Sequence, residues 1–137
     1  VIESENLRDV ALAALDQIKG IDVRVLDVRA LTDITDFMII ASGRSNRQVR
    51  ALADEVVAEA TRSGVRPLGV EGHEQGEWVL VDLGDVVVHV MQPATRDFYQ
   101  LERLWDDTAV GSERVRDPVG AARGDRAALA APPGPRG

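Results

Sequence analysis

The sequence contains no cysteine, which excludes disulfides, thiolate metal sites and a cysteine nucleophile. That absence fits a reducing cytoplasm, where the chain is expected to work. Histidine is scarce, with only His73 and His89, and neither stands in an H-x-x-x-H or H-x-x-E spacing. The ligand pattern of a metal site is therefore missing, and neither metal nor cofactor is expected. Lysine is reduced to Lys19 alone. No stretch approaches the roughly 18 uninterrupted apolar residues of a membrane span. The opening Val1-Ile2-Glu3-Ser4-Glu5 lacks the basic-then-apolar pattern of a signal peptide; a first residue other than Met points to a non-standard start or a trimmed chain. Aromatics make up only 4%. They are Phe37, Trp78, Phe98, Tyr99 and Trp105, and all but the first lie beyond residue 77.

What is present suits one soluble domain. The 137 residues are 45% hydrophobic and 28% charged, enough for a real core with little room for a second. Charge is unevenly placed. Residues 1–110 hold 11 basic and 20 acidic side chains, a net −9, whereas 111–137 hold 5 and 3. An acidic domain is ill suited to wrapping a phosphate backbone and better suited to a basic protein partner. From Gly111 onward Gly, Ala, Pro and Arg dominate, so 1–110 reads as the folded domain and 111–137 as a disordered tail.

The patterning predicts α-β-β-α-β-β-β-α. Ser4 is placed to cap a helix whose apolar positions Leu7, Val10, Ala11, Ala14, Leu15 and Ile18 follow the 3.6-residue period, with Gly20 as its stop. Residues 22–28 alternate as a strand. Phe37-Met38-Ile39-Ile40-Ala41 is an unbroken apolar run, the mark of a strand covered on both faces. Ser45-Asn46-Arg47-Gln48 has capping-box spacing ahead of a buried stripe of Val49, Leu52, Ala53, Val56, Val57 and Ala60, and Gly64 ends that helix. A short strand over 66–70 follows. Strands at 77–83 and 86–91 then flank Gly84-Asp85, a two-residue hairpin with Gly first, as a type II′ turn requires. A last helix is predicted over 95–107, with Phe98, Leu101 and Trp105 on one stripe. The sum is an α/β fold, a mixed sheet flanked by helices.

A two-residue turn fixes register. One hairpin face carries Val79, Val81, Leu83, Val86, Val88 and Val90, all aliphatic and therefore core. The other pairs Trp78 with Met91, Leu80 with His89 and Asp82 with Val87, leaving Asp82 and His89 on a diagonal. Two readings of this mixed face stand. Either the last helix covers it and His89–Asp82 is a satisfied, half-buried pair, or its rim binds a partner through aromatic and arginine anchors. His73, in a glycine-flanked turn, is expected to be solvated.

Catalytic patterns are missing. Ser42 or Ser45 can be written beside His89 and Asp82 as a triad, but no G-x-S-x-G elbow is present. The Gly43 loop matches neither phosphate-loop nor dinucleotide-binding glycine patterns. A strand ending in Ser42-Gly43 before a helix is the layout by which nucleotidyltransferases hold a triphosphate, yet the D-x-D carboxylates for Mg²⁺ are replaced by Arg44-Ser45-Asn46-Arg47-Gln48-Val49-Arg50. Arg44, Arg47 and Arg50 surround a helix N-terminus that favours an anion; they are either a solvated basic face or a single contact to a phosphate or carboxylate.

Taken in order, Asp33-Ile34-Thr35-Asp36-Phe37, Ile40 through Val49, Glu71-Gly72, Gly76-Glu77-Trp78-Val79-Leu80-Val81-Asp82, Asp85 through Val90, and Arg96-Asp97-Phe98-Tyr99-Gln100-Leu101-Glu102-Arg103-Leu104-Trp105 resemble the motifs of the Iojap-like, ribosomal silencing factor family. The resemblance runs from about residue 5 to 108. It implies a nucleotidyltransferase-like fold without catalytic acids, hence no enzyme. It further implies binding to the large ribosomal subunit through its fourteenth protein, which would block small-subunit joining and repress translation under nutrient limitation. A homodimer in the free state and at most a minor contact with ribosomal RNA are implied as well. Carried over by motif, the partner-binding residues are Trp78, Asp82, His89, Arg96, Tyr99 and Trp105, with Glu71 beside them. Trp78 and Tyr99 are expected as contact anchors, Arg96 as a charge partner and Asp82 with His89 as an orienting pair, while Phe98 and Leu101 are expected in the core. The competing expectation is a diverged nucleotidyltransferase-fold protein that binds nucleotide.

Overall fold

The computed structural model describes residues 2–101. The elements run α1 (Ser4–Gln17), β1 (Ile21–Asp27), β2 (Phe37–Ser42), α2 (Asn46–Arg62), β3 (Gly69–Glu71), β4 (Trp78–Asp82), β5 (Val86–Met91) and α3 (Pro93–Tyr99), the order the patterning predicts. They form one mixed sheet in the order β1-β2-β5-β4-β3. The short 29–35 connection makes β1 and β2 antiparallel, the Gly84-Asp85 turn does the same for β4 and β5, and β2 runs parallel to β5 at the sheet centre. The β2–β5 crossover is long enough to include α2, as a parallel connection requires.

Two apolar layers follow from strand parity. Phe37, Ile39, Ala41, Val79, Val81, Val86, Val88 and Val90 meet Leu7, Leu15, Val49, Leu52 and Val56 of α1 and α2 in the larger cluster. Every residue of β2 and β5 is buried, as the unbroken run 37–41 requires. At one margin of this core the guanidinium groups of Arg8 and Arg29 lie 4.9 and 4.8 Å from the centre of the Phe37 ring. The opposite sheet face has a smaller cluster: Leu26, Val28, Met38, Ile40, Trp78, Leu80, Val87, Met91 and Leu101, with Leu31, Ile34 and Tyr99 against it.

Helix ends show which local expectations hold. Ser45 caps α2, its Oγ accepting the Gln48 N–H at 3.0 Å. The Gln48 side chain does not complete a capping box on Ser45. Its Oε1 accepts from the Arg44 N–H at 2.7 Å, and its amide donates to the Ile18 and Lys19 carbonyls at 3.2 Å each. One side chain thereby ties the start of α2 to the end of α1. Gly64 ends α2 in a left-handed conformation (φ 91°), with the Val65 N–H on the Ala60 carbonyl and the Gly64 N–H on that of Thr61, the two bonds of a Schellman motif. At α1 the same motif forms, but Lys19 (φ 61°) takes the left-handed position expected of Gly20. Gly20 serves packing instead: a Cβ there would stand 3.3 Å from the Leu15 carbonyl oxygen and 3.4 Å from Leu52. Glu3, not Ser4, is the N-cap of α1 and makes no side-chain bond.

Two other boundaries differ. The strand expected over 66–70 is Gly69–Glu71, because Pro67 has no N–H to give to a ladder; the Leu68 N–H still reaches the Asp82 carbonyl at 2.7 Å. The last helix starts earlier than expected, at Pro93, and does not continue unbroken through 107. Gln100 adopts a left-handed conformation (φ 48°) and closes α3 on the Arg96 carbonyl. Trp105 and the 111–137 tail lie outside the described residues.

Candidate functional site

The smaller-cluster face of the sheet gathers the residues that the motifs single out. Register sets one row across it: Glu71, Leu80, His89, Ile40 and Arg24 stand opposite one another from β3 to β1. The next row contains Trp78, Met91 and Ser42. Side chains directly opposite in a ladder share a face, so Glu71, Trp78, Asp82 and His89 fall on one side, where α3 brings Arg96 and Tyr99. Glu71 is exposed on the edge strand.

Within this group the pairing differs from the expected His89–Asp82 couple. The Trp78 indole N–H donates to His89 Nδ1 at 2.9 Å. Nδ1 is therefore the unprotonated nitrogen and the proton sits on Nε2. Burial without an anion beside it depresses the His89 pKa to about 3, since the charged ring would lose its hydration. His89 Nε2 is buried without a hydrogen-bond partner among the described residues, at a cost of about 1–3 kcal/mol. Asp82 turns to the hairpin instead, accepting the Gly84 N–H at 2.9 Å. That donor belongs to the turn itself, Gly84 (φ 94°) standing two residues on from Asp82.

Exposure redistributes the aromatic roles. Trp78, expected as a contact anchor, is only 6% exposed. Phe98, expected in the core, is 77% exposed, while Leu101 is buried as expected. The break at Gln100 explains both, because it lets Leu101 turn inward after a helical turn that leaves Phe98 outside. The rings form a continuous series from interior to surface. His89 and Trp78 are 5.9 Å apart between centroids, Trp78 and half-buried Tyr99 are 5.1 Å apart, and Tyr99 meets Phe98 edge-on at 4.8 Å. Arg96 donates from Nη1 to Ser42 Oγ at 2.9 Å, pinning α3 to the end of β2. Phe98 is the residue that sequence reasoning misplaces. The 3.6-residue stripe puts it with Leu101, and nothing local to 98–101 marks the left-handed Gln100.

The arginines do not act as one group. Arg44 and Arg47 are exposed at the α2 N-terminus, whereas Arg50 donates to the Glu74 carbonyl at 3.2 Å. Asn46 donates to the Gln75 carbonyl, and His73, which keeps the solvent exposure expected of it, also meets Asp54 of α2 at 2.8 Å. The 72–76 turn is thus fastened to α2, and Gly76 makes that possible. It has φ 71°, and a Cβ there would come within 2.7 Å of Arg50. No group of three metal-capable side chains occurs among the described residues.

Fold and site together define a small α/β domain with a mixed sheet, one aliphatic layer under two helices and an aromatic-centred layer on the opposite face. Its family model is "Ribosomal silencing factor during starvation", matching residues 1–132 and so extending past the motif-bearing segment. The chain belongs to the ribosomal silencing factor family. It is similar to the ribosomal silencing factor of Chromobacterium violaceum, 49% identical over 122 residues that cover 89% of this chain and 96% of that one. A mouse relative named for mitochondrial assembly of the ribosomal large subunit is 33% identical over 100 residues, 71% of this chain and 44% of its own length. A crystal structure from C. violaceum shares the fold with a TM-score of 0.76 at 52% identity, covering 77% of this chain and 88% of that one.

Proposed function

We propose that this chain silences ribosomes by binding the large subunit at its fourteenth protein, so that the small subunit cannot join and translation falls when nutrients are short. The observation that carries the reading is the family match over residues 1–132, supported by relatives named as ribosomal silencing factors and by one named for large-subunit assembly. The binding surface is α3 and its surroundings: Phe98 and Tyr99 make apolar contact, Arg96 and Glu71 lie at its margin, and Trp78, His89 and Asp82 support it from below. Trp105 belongs to the same segment of the resemblance. The net charge of −7 favours a basic protein surface over bare RNA. No chemical step is required, because occupying the joining face is sufficient. The free protein is a homodimer of the cytoplasm in this reading.

Sedimentation with separated subunits tests it. Co-sedimentation with large subunits, together with fewer joined ribosomes, is the expected result; no binding even at low salt would overturn it. Saturable binding of nucleotide with Mg²⁺ would favour the competing nucleotide-binding role.

A further inference from the structure

We propose that His89 is a positioning residue for docking: by accepting the Trp78 indole N–H it orients Trp78, which sets Tyr99 and, through it, the exposed ring of Phe98. This rests on the reading of α3 as the docking element. Three observations carry it. First, α3 has seven residues and fully buries none of them, so it is too short to hold itself in place and relies on a few contacts with the sheet. Among the contacts that orient it are the Tyr99–Trp78 ring contact at 5.1 Å, the Arg96–Ser42 bond at 2.9 Å and Leu101 beyond the break. Second, the indole itself has one fixed polar tether, the 2.9 Å bond to His89 Nδ1, among apolar neighbours of the same layer that include Leu26, Met38, Ile40, Leu80, Val87 and Met91. Third, the imidazole is a poor choice for stability alone. It is fully buried and leaves Nε2 without a partner among the described residues, whereas an apolar pair of similar shape would avoid that penalty. What it supplies is direction, since a hydrogen bond fixes the ring plane where dispersion contacts would not.

The test compares His89→Leu with His89→Gln, whose amide oxygen can still accept the indole proton. Expected for His89→Leu is a cooperatively unfolding protein in which the Trp78 indole N–H shifts and exchanges faster. Its Trp78–Tyr99 cross-ring nuclear Overhauser contacts weaken, and large-subunit affinity falls roughly tenfold, the scale of one lost orienting bond. His89→Gln should restore both readouts in large part. Ring contacts and affinity that remain as in the parent protein in His89→Leu would overturn the proposal. Should that variant fail to fold, Trp78→Phe keeps a ring but removes the donor and is expected to show the same loss; parental Tyr99 contacts and affinity there would overturn it equally. Phe98→Ala separates the two levels. If it weakens binding while His89→Leu does not, only the positioning role fails. If Phe98→Ala leaves binding unchanged, the docking reading fails, and the ring contacts still decide the role of His89.

Discussion

At the scale of single residues, burial and exposure assign Trp78 and Phe98 opposite consequences. Phe98→Ala removes an exposed ring and should change unfolding free energy by no more than about 0.5 kcal/mol. In the proposed role it should weaken large-subunit binding by about 2 kcal/mol, as an aromatic anchor does. Trp78→Ala empties a site that is 6% exposed and should cost about 3–5 kcal/mol of stability; urea titration of both variants checks the contrast. His89 adds a pH dependence of definite sign. Its folded-state pKa of about 3 lies below the value near 6.5 of an unfolded histidine, so the unfolded chain binds the extra proton first. Stability is therefore complete above pH 6.5 and declines as pH falls toward 3, with about 2 kcal/mol lost from this group by pH 5. Urea titrations at pH 7 and 5 should show that loss in the parent protein and a smaller one in His89→Gln.

At the scale of elements, the two Schellman ends form a matched pair. Gly64 and Lys19 occupy the same left-handed position at the ends of α2 and α1 (φ 91° and 61°), one without a Cβ and one with it. Lys19→Gly should stabilise the domain, and Gly64→Ala should destabilise it, each by about 1 kcal/mol. At Gly64 the cost is one of backbone alone, because a Cβ there would meet nothing within 4 Å; thermal unfolding of the two variants measures both. The end of α2 was legible because glycine advertises the left-handed turn, whereas at α1 the nearby Gly20 misdirects the reading by one residue. The same limit applies to α3. Its apolar stripe continues through Leu101, but Gln100 has no residue-level signature of a helix end, so Phe98 reads as core when it is surface.

At the scale of the whole molecule, the proposed docking of an acidic domain on a basic partner makes binding salt-dependent. Raising ionic strength from about 0.05 to 0.2 M shortens the screening length roughly twofold, so large-subunit affinity should fall with salt while the unfolding midpoint moves little; sedimentation across a salt series checks this. The order of elements, the hairpin register, the aliphatic layer of Val79, Val81, Val86, Val88 and Val90, and the residues that carry the family motifs are all legible along the chain. These follow from period, turn chemistry and strand parity, which are local. How the side chains of the opposite layer pair is visible only in the folded chain. A single strand pair leaves Asp82 as near a neighbour for His89 as any other group. Trp78 and Asp82 stand one row to either side of His89 on β4, and it is the indole N–H that bonds the imidazole while the carboxylate accepts the Gly84 N–H. Likewise, the surface position of Phe98 goes with the left-handed conformation of Gln100, beyond which Leu101 fills the core. Neither outcome follows from periodicity, because each depends on which groups the packed sheet face leaves free to meet.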